Sequence, residues 1–102
     1  MRLTVRVERR HIDKGKPVRC RLCPIALALN EQHPRGERPL WATDTEDVFL
    51  LTWDPARQRF DDADPSADAR FSVPIEARKW ASDFDAGRPV QPFTFELTDE
   101  VA

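Results

Sequence analysis

Glycine and cysteine are scarce in this sequence. Its 102 residues include three glycines and two cysteines. None of the motifs G-x-x-x-x-G-K-[ST], G-x-G-x-x-G, G-x-S-x-G or H-E-x-x-H occurs, so the usual marks of phosphate binding, nucleophilic hydrolysis and zinc proteolysis are missing. The sequence also shows no set of a nucleophile, a base and an orienting third residue. We therefore expect that the protein is not an enzyme.

Long apolar runs are missing as well. No stretch approaches the roughly 20 apolar residues that a membrane span requires, and no signal-peptide apolar segment follows the charged start MRLTVRVERR. We therefore expect a cytoplasmic protein that has no membrane partner. Cytoplasmic thiols are kept reduced, which argues against a structural disulfide between the two cysteines.

The composition is that of a small globular protein. Hydrophobic residues make up 40% of the chain, with three tryptophans and six phenylalanines. A domain of this size hides roughly 60–70% of the surface that its unfolded chain would expose, which allows one modest core. Nine prolines and a charged fraction of 33% imply many loops. We expect residues 1–102 to form a single domain.

The two halves of the chain carry opposite charge. Residues 1–40 contain ten Lys and Arg against four Asp and Glu, a balance of +6, and residues 41–102 contain six against fourteen, a balance of −8. This asymmetry is typical of a basic face for nucleic acid or for an acidic partner. It is equally explained by two halves that attract each other within the fold, and we favour that interpretation.

The first half of the chain predicts one strand and one helix. Apolar and polar residues alternate over residues 2–8, which is typical of a strand with one buried face. A connector follows, with room for a single helical turn at His11 and Ile12. Pro24 suits the first position of a helix over residues 24–32, with Cys23 as its N-cap. This helix is apolar on nearly all sides and should be buried.

The middle of the chain predicts a hairpin and a loop. The strands of the hairpin are expected at Leu40–Thr43 and Asp47–Trp53. Residues 57–60 are a candidate edge strand. Residues 61–71 are acidic and rich in small side chains, and we predict a surface loop there because they offer little apolar surface to bury.

The last third predicts a second helix and a final strand. Apolar residues follow a helical stripe over residues 74–86, with Trp80 as the anchor and Ser72 or Val73 as the cap. Residues 93–98 alternate as a strand, and 99–102 are expected to be a flexible acidic tail. The predicted fold is therefore α+β, a two-layer domain with a mainly antiparallel sheet of four to five strands and both helices, 24–32 and 74–86, on one face.

Two stretches resemble a group of small uncharacterised proteins of tailed bacteriophages and prophages, many of them from actinobacteria. The first stretch is HIDKGKPVRCRLCPIALAL at residues 11–29. The second stretch has the pattern W-x-x-x-F-D-x-G-x-P-V-x-P-F-x-F-E-L, formed here by Trp80, Phe84, Asp85, Gly87, Pro89, Val90, Pro92, Phe93, Phe95, Glu96 and Leu97. The resemblance implies a phage protein that acts inside an infected bacterium, and it implies no catalytic residue.

Cys20 and Cys23 form half of a zinc-ligand pattern. Two thiolates at this spacing can chelate one Zn²⁺, with His11 as the most suitable third ligand. His33 lies at the far end of the helix, some 15 Å from its start by the helical rise, and should not reach the site. The alternatives are that the two cysteines are simply buried, or that the dipole of the helix lowers a thiol pKa for redox chemistry.

We expect the protein to act by binding. The leading hypothesis is a phage-type accessory protein that binds a host or phage protein and needs no cofactor. The alternative is a small zinc-stabilised module that binds nucleic acid through Cys20, Cys23 and the basic N-terminal half. The candidate binding residues for either function are Arg6, Arg9, Arg10, Arg19 and Arg21.

Overall fold

The computed structural model of the protein describes residues 2–19, 21–35, 40–44, 46–63 and 69–99. Within these ranges the chain forms three helices and six strands. The strands are β1 (Arg2–Val7), β2 (Leu40–Thr43), β3 (Asp47–Asp54), β4 (Arg59–Ala63), β5 (Arg70–Ser72) and β6 (Phe93–Asp99). The helices are α1 (Arg9–Lys14), α2 (Pro24–Gln32) and α3 (Ile75–Asp85). The predicted α+β class is confirmed.

The strands form one antiparallel sheet in the order β1-β6-β5-β3-β2. β5 and β4 share the remaining edge of β3: β5 pairs with its first half and β4 with its second half. β1 pairs with β6 along its whole length, from Arg2 opposite Thr98 to Val7 opposite Phe93. β1 and β2 are the outer strands of this order.

Helix α2 lies against both outer strands. It contacts β1 and β2, which the curvature of the sheet brings to its two sides. The side chain of Cys23 accepts a hydrogen bond from the Ala26 N–H, which makes Cys23 the N-cap that the sequence predicts. The bounds of the predicted helix, residues 24–32, are confirmed.

A single core joins the inner face of the sheet to α2 and α3. The buried residues of β1 alternate with exposed ones, as its sequence predicts. Ile25 and Leu29 of α2 and Ala77 of α3 belong to the same cluster of buried residues, and Trp80 packs against that cluster. Both predicted helices therefore cover the same face of the sheet.

Several predicted boundaries are wrong. The predicted loop 61–71 is too long at both ends, because residues 61–63 belong to β4 and residues 70–71 belong to β5. Residues 64–68 lie outside the described ranges. Phe71 is fully buried because β5 pairs with both β3 and β6, and these partners are distant in sequence. The predicted tail 99–102 begins one residue early, since β6 includes Asp99.

Three smaller corrections concern single elements. The candidate strand at 57–60 is shifted, because residues 55–58 form the turn and β4 begins at Arg59. The helical turn at His11 and Ile12 is a helix of six residues, α1. The N-cap of α3 is Pro74 rather than Ser72 or Val73.

Candidate functional site

The segment between α1 and α2 is held in a defined shape. Gly15 N–H donates to the carbonyl of His11, Lys16 N–H to that of Leu22, and Leu22 N–H to that of Arg19. The N–H of Val18 donates to Oδ1 of Asp85, at 2.9 Å, which ties the segment to the end of α3. We call residues 14–22 the basic loop; Cys20 within it lies outside the described residues.

The basic loop exposes two apolar side chains. Val18 is 79% exposed and Leu22 is 47% exposed, and Ile75 is the one other large hydrophobic residue with comparable exposure in the described part of the chain. Val18 has a φ of 56°, a left-handed conformation that β-branched residues rarely adopt. Such strain costs about 1–3 kcal/mol and is concentrated at functional sites.

Four cations flank these apolar side chains. Lys14, Lys16, Arg19 and Arg21 are exposed. None of them takes part in an ion pair among the described residues. The loop therefore presents positive charge next to apolar surface, and the Asp85 carboxylate that accepts the Val18 N–H lies beside it.

A cleft of about 450 Å³ opens beside the basic loop. It lies between the loop, the first turn of α2, the end of β2 and the C-terminal half of α3. Its apolar walls include Pro24, Ile25, Trp80 and Phe84. Arg19 and Arg78 contribute cations to the lining, and Asp44 and Asp85 contribute carboxylates. The volume falls in the range of sites that accept a small molecule or one large side chain.

The Cys23 thiol lies in this cleft and is not poised for chemistry. Its Sγ is 3.1 Å from Oγ1 of Thr43 and accepts from the Ala26 N–H at 3.4 Å. Burial is the largest influence on the thiol and raises its pKa, against the opposing effect of the Thr43 hydrogen bond. The redox alternative requires a lowered thiol pKa. The raised pKa of Cys23 contradicts that requirement for this cysteine.

His11 is buried in a cluster with Glu8, Arg10 and Glu31. Its Nδ1 accepts the N–H of Glu8 at 2.9 Å, which caps α1. The neutral ring therefore carries its proton on Nε2, which lies 3.3 Å from Oε2 of Glu31. Neither ring nitrogen keeps a free lone pair, so the structure does not support His11 as the third ligand of a zinc site.

The same cluster neutralises Arg10. Its guanidinium donates to Oε2 of Glu8 at 2.6 Å and also binds Glu31. The hydrogen bonds from Arg10 lower the pKa of Glu31. Glu8, His11 and Glu31 bring three ligand-type atoms within 4.8 Å of one another, but the Arg10 guanidinium already occupies the carboxylates where a cation would bind.

The remaining predicted site residues are dispersed. Cys20 lies outside the described residues, so the predicted pair with Cys23 stays a prediction. Nε2 of His33 is 2.7 Å from the carbonyl oxygen of Thr4. Arg6 lies on the exposed face of β1, and Arg9 donates to Oε1 of Gln91.

The structure thus separates the candidate arginines. Arg19 and Arg21 precede the N-terminal end of α2, whereas Arg10 meets Glu31 in the last turn of that helix. Sequence reasoning missed Val18 and its anchor Asp85, which are separated by 67 residues. The sequence contains no signal for the positive φ of Val18, so sequence analysis could not have identified it.

Comparisons with protein families, with curated proteins and with solved structures found no match to this chain. The resemblance to phage proteins accordingly stays a prediction. Within the described residues, no helix has both the length and the apolar character that crossing a bilayer demands.

Proposed function

We propose that this chain is a small phage-type accessory protein that acts by binding another protein, without catalysis, and that its basic loop is the contact surface. The observation that supports the proposal is Val18, a β-branched residue that is 79% exposed and held at a φ of 56°. Its N–H is fixed by Asp85. A strained backbone that displays an apolar side chain to water has no benefit for stability, and a bound partner would cover that side chain.

The partner's chemistry follows from the charge of the loop. Four exposed cations, none of them in an ion pair with another described residue, flank Val18 and Leu22 in the sequence, so the complementary surface is an acidic segment with an apolar side chain. The neighbouring cleft of about 450 Å³ has room for that side chain between Pro24 and Trp80. Trp and Arg are the residues most enriched at binding hot spots, and the cleft contains both types.

Nucleic-acid binding is the alternative, and it has less support. Phosphate-binding surfaces gather cations along a groove, whereas Arg10 is neutralised by two glutamates. Arg6 and Arg19 lie at opposite ends of α2. Exposed Val18 and Leu22 add nothing to phosphate contacts. Both ring nitrogens of His11 have hydrogen-bond partners, which gives the zinc of this alternative less support.

The test compares the wild type and two variants as bait in nuclease-treated bacterial lysate. Val18→Asn keeps a residue that tolerates a positive φ, and combined with Leu22→Gln it removes the apolar surface. Ile75→Gln removes an equally exposed hydrophobic residue elsewhere and is the matched control. Each retained protein is then purified, and its Kd is measured for every variant.

The proposal predicts a partner with an acidic segment. Its affinity should fall at least tenfold for the double variant, stay unchanged for Ile75→Gln, and weaken as salt rises. Equal affinity for wild type and the double variant would contradict the assigned surface. Retention that disappears on nuclease treatment would favour the nucleic-acid alternative, and substrate turnover by the purified chain would overturn the assignment as a non-enzyme.

A further inference from the structure

The outer edge of β1 carries main-chain groups that are bonded by side chains instead of by a strand. Oε1 of Gln32 accepts the Arg6 N–H at 2.9 Å, and Nε2 of Gln32 donates to the Arg6 carbonyl at 2.7 Å. Nε2 of His33 donates to the Thr4 carbonyl at 2.7 Å. Main-chain groups alternate along a strand, so Arg2, Thr4 and Arg6 direct theirs away from β6.

The Gln32 contact imitates a paired strand. A residue in an antiparallel ladder exchanges one N–H and one C=O bond with its partner, and the carboxamide of Gln32 offers both groups to Arg6. Both of these bonds are at the exposed surface. A side chain at the surface is displaced more readily than a strand in the interior, because water can satisfy its carboxamide.

A shallow groove runs along this edge. Its walls include Thr4, Arg6, Glu31, Gln32 and His33, and its volume is about 490 Å³. It lies at the C-terminal end of α2, whereas the basic loop precedes the N-terminal end. The groove is therefore a second surface, separate from the one proposed above.

We propose that the outer edge of β1 accepts an extended, acidic segment of another protein as an additional strand, and that Gln32 and His33 occupy the edge until that segment binds. Strand addition supplies affinity through main-chain hydrogen bonds and specificity through alternate side chains. Arg2, Thr4 and Arg6 face solvent. Arg2 lies 3.6 Å from Glu96 in an exposed ion pair, which is worth little in water, and both arginines favour carboxylates at the positions opposite them.

A second copy of this chain fits the edge poorly. Antiparallel pairing of two β1 strands centred on Thr4 places Arg2 of each copy opposite Arg6 of the other. Like charges directly opposite each other destabilise a pair of strands. The same arginines that attract an acidic segment therefore keep the edges of two copies apart.

The test uses a fluorescein-labelled peptide, Glu-Val-Thr-Val-Glu-Val-Thr, with acetylated and amidated ends. It is titrated into wild-type protein, into Gln32→Ala and into Gln32→Ala/His33→Ala, and the anisotropy is recorded. One control peptide replaces each Glu by Lys. The other carries N-methyl groups at alternate residues, which removes main-chain donors. The Trp41 Nε1 bond to the His33 carbonyl is retained when the His33 side chain is removed.

Gln32→Ala and Gln32→Ala/His33→Ala, the opened variants, should bind the acidic peptide at least tenfold more tightly than wild type does. Both control peptides should bind these variants much more weakly than the acidic peptide does. In wild type, saturating peptide should shift the amide resonances of Thr4 and Arg6 and leave those of Leu3 and Val5 in place, a measurement that needs no variant. Equal binding of the N-methylated peptide, or unchanged affinity of the opened variants, would overturn the proposal. Dimerisation of those variants without peptide would overturn the choice of an acidic partner segment over a second copy.

Discussion

Asn30 is hydrogen-bonded to both main-chain polar groups of Trp41. Oδ1 of Asn30 accepts the Trp41 N–H at 2.8 Å, and Nδ2 donates to the Trp41 carbonyl at 3.1 Å. Gln32 makes the equivalent pair of bonds with Arg6. Helix α2 therefore uses two side-chain carboxamides to bond main-chain groups at the outer edges of both β2 and β1. In this way α2 bridges the two outer strands of the curved sheet.

Asn30 should contribute much more to stability than Gln32, although both make the same two bonds. The Asn30 contact is partly buried and Trp41 is fully buried, so removal of the carboxamide leaves main-chain groups without water. We expect Asn30→Ala to lower the free energy of unfolding by about 2–3 kcal/mol. Gln32→Ala should cost less than about 1 kcal/mol, because water replaces its bonds.

Urea unfolding followed by tryptophan fluorescence measures both losses. Asn30→Asp is an informative third variant, since it keeps the acceptor for the Trp41 N–H and loses the donor to the carbonyl. A loss for Asn30→Ala no larger than that for Gln32→Ala would show that the edge of β2 is open to water.

The sequence predicted well those elements that are set locally. The prolines at 24 and 34 fix both ends of α2, and the turn residues between Thr43 and Asp47 fix the hairpin of β2 and β3. β5 was missed because its three residues become a strand only through pairing with β3 and β6. α1 was missed as a full helix because its N-cap is Glu8, whose N–H donates to the side chain of His11 three residues later. The usual capping box has Ser or Thr at the N-cap and Glu or Gln at the later position.

The candidate site was less predictable than the fold. The basic character of residues 14–22 is plain in the sequence. The left-handed conformation of Val18 depends on the bond from its N–H to Asp85, and nothing local specifies that partner. The predicted metal role of His11 stays a prediction. The side chain partners of His11 are set by helix geometry and by Glu31, 20 residues away, and the sequence does not indicate them.

Cys23 should make the protein less stable at alkaline pH. Its thiol pKa is raised above the ordinary value of 9.0, with burial as the largest cause and the Asp85 charge as a smaller one. The folded state thus holds the thiol proton more tightly than the unfolded state. The resulting stability is fully present below pH 9.0 and is lost as the pH rises through the folded pKa.

The comparison variant is Cys23→Ser, which keeps an N-cap and does not titrate in this range. Unfolding free energies between about pH 8 and pH 10.5 should fall more steeply for wild type than for Cys23→Ser. In a Cys20→Ser background, iodoacetamide should also react more slowly with the folded than with the unfolded protein. Parallel pH profiles for the two proteins would contradict the buried thiol.

Gly15 should not tolerate a side chain, for a steric reason. Its φ of −67° is ordinary, but an added Cβ would lie 2.6 Å from Cγ of Pro24 and 2.9 Å from the His11 carbonyl oxygen. We expect Gly15→Ala to cost about 1–3 kcal/mol, because the start of α2 or the end of α1 must shift. Thermal unfolding and urea unfolding both report this loss.

Gly87 provides the contrast for Gly15. Nothing lies within 4 Å of its added Cβ, and its φ is +78°. Gly87→Ala should cost about 1–2 kcal/mol through backbone strain alone, and Gly87→Asn should recover part of it because Asn tolerates this conformation. At Gly15, Asn should be no better than Ala. Recovery of stability by Asn at Gly15 would rule out the steric explanation.

Trp80 connects α3 to β6 through stacked rings and one hydrogen bond. Its ring lies 6.1 Å from Phe84 and 6.4 Å from Phe93, with interplanar angles of 4° and 15°. Its Nε1–H donates to the Gln91 carbonyl at 2.8 Å. Trp80 is only half-buried, so we expect Trp80→Ala to cost about 2–3 kcal/mol, below the ~3–5 kcal/mol of a fully buried aromatic residue.

Trp80→Phe separates the two contributions, since it keeps a stacking ring and removes the donor. Trp80→Phe should lower the free energy of unfolding by about 1 kcal/mol, the typical net value of one hydrogen bond. The further decrease in Trp80→Ala is then the contribution of the stacked aromatic surface. Urea unfolding followed by circular dichroism gives both numbers without relying on tryptophan emission. Equal losses in the two variants would mean that the bond to Gln91, and not the row of rings, holds α3 against β6.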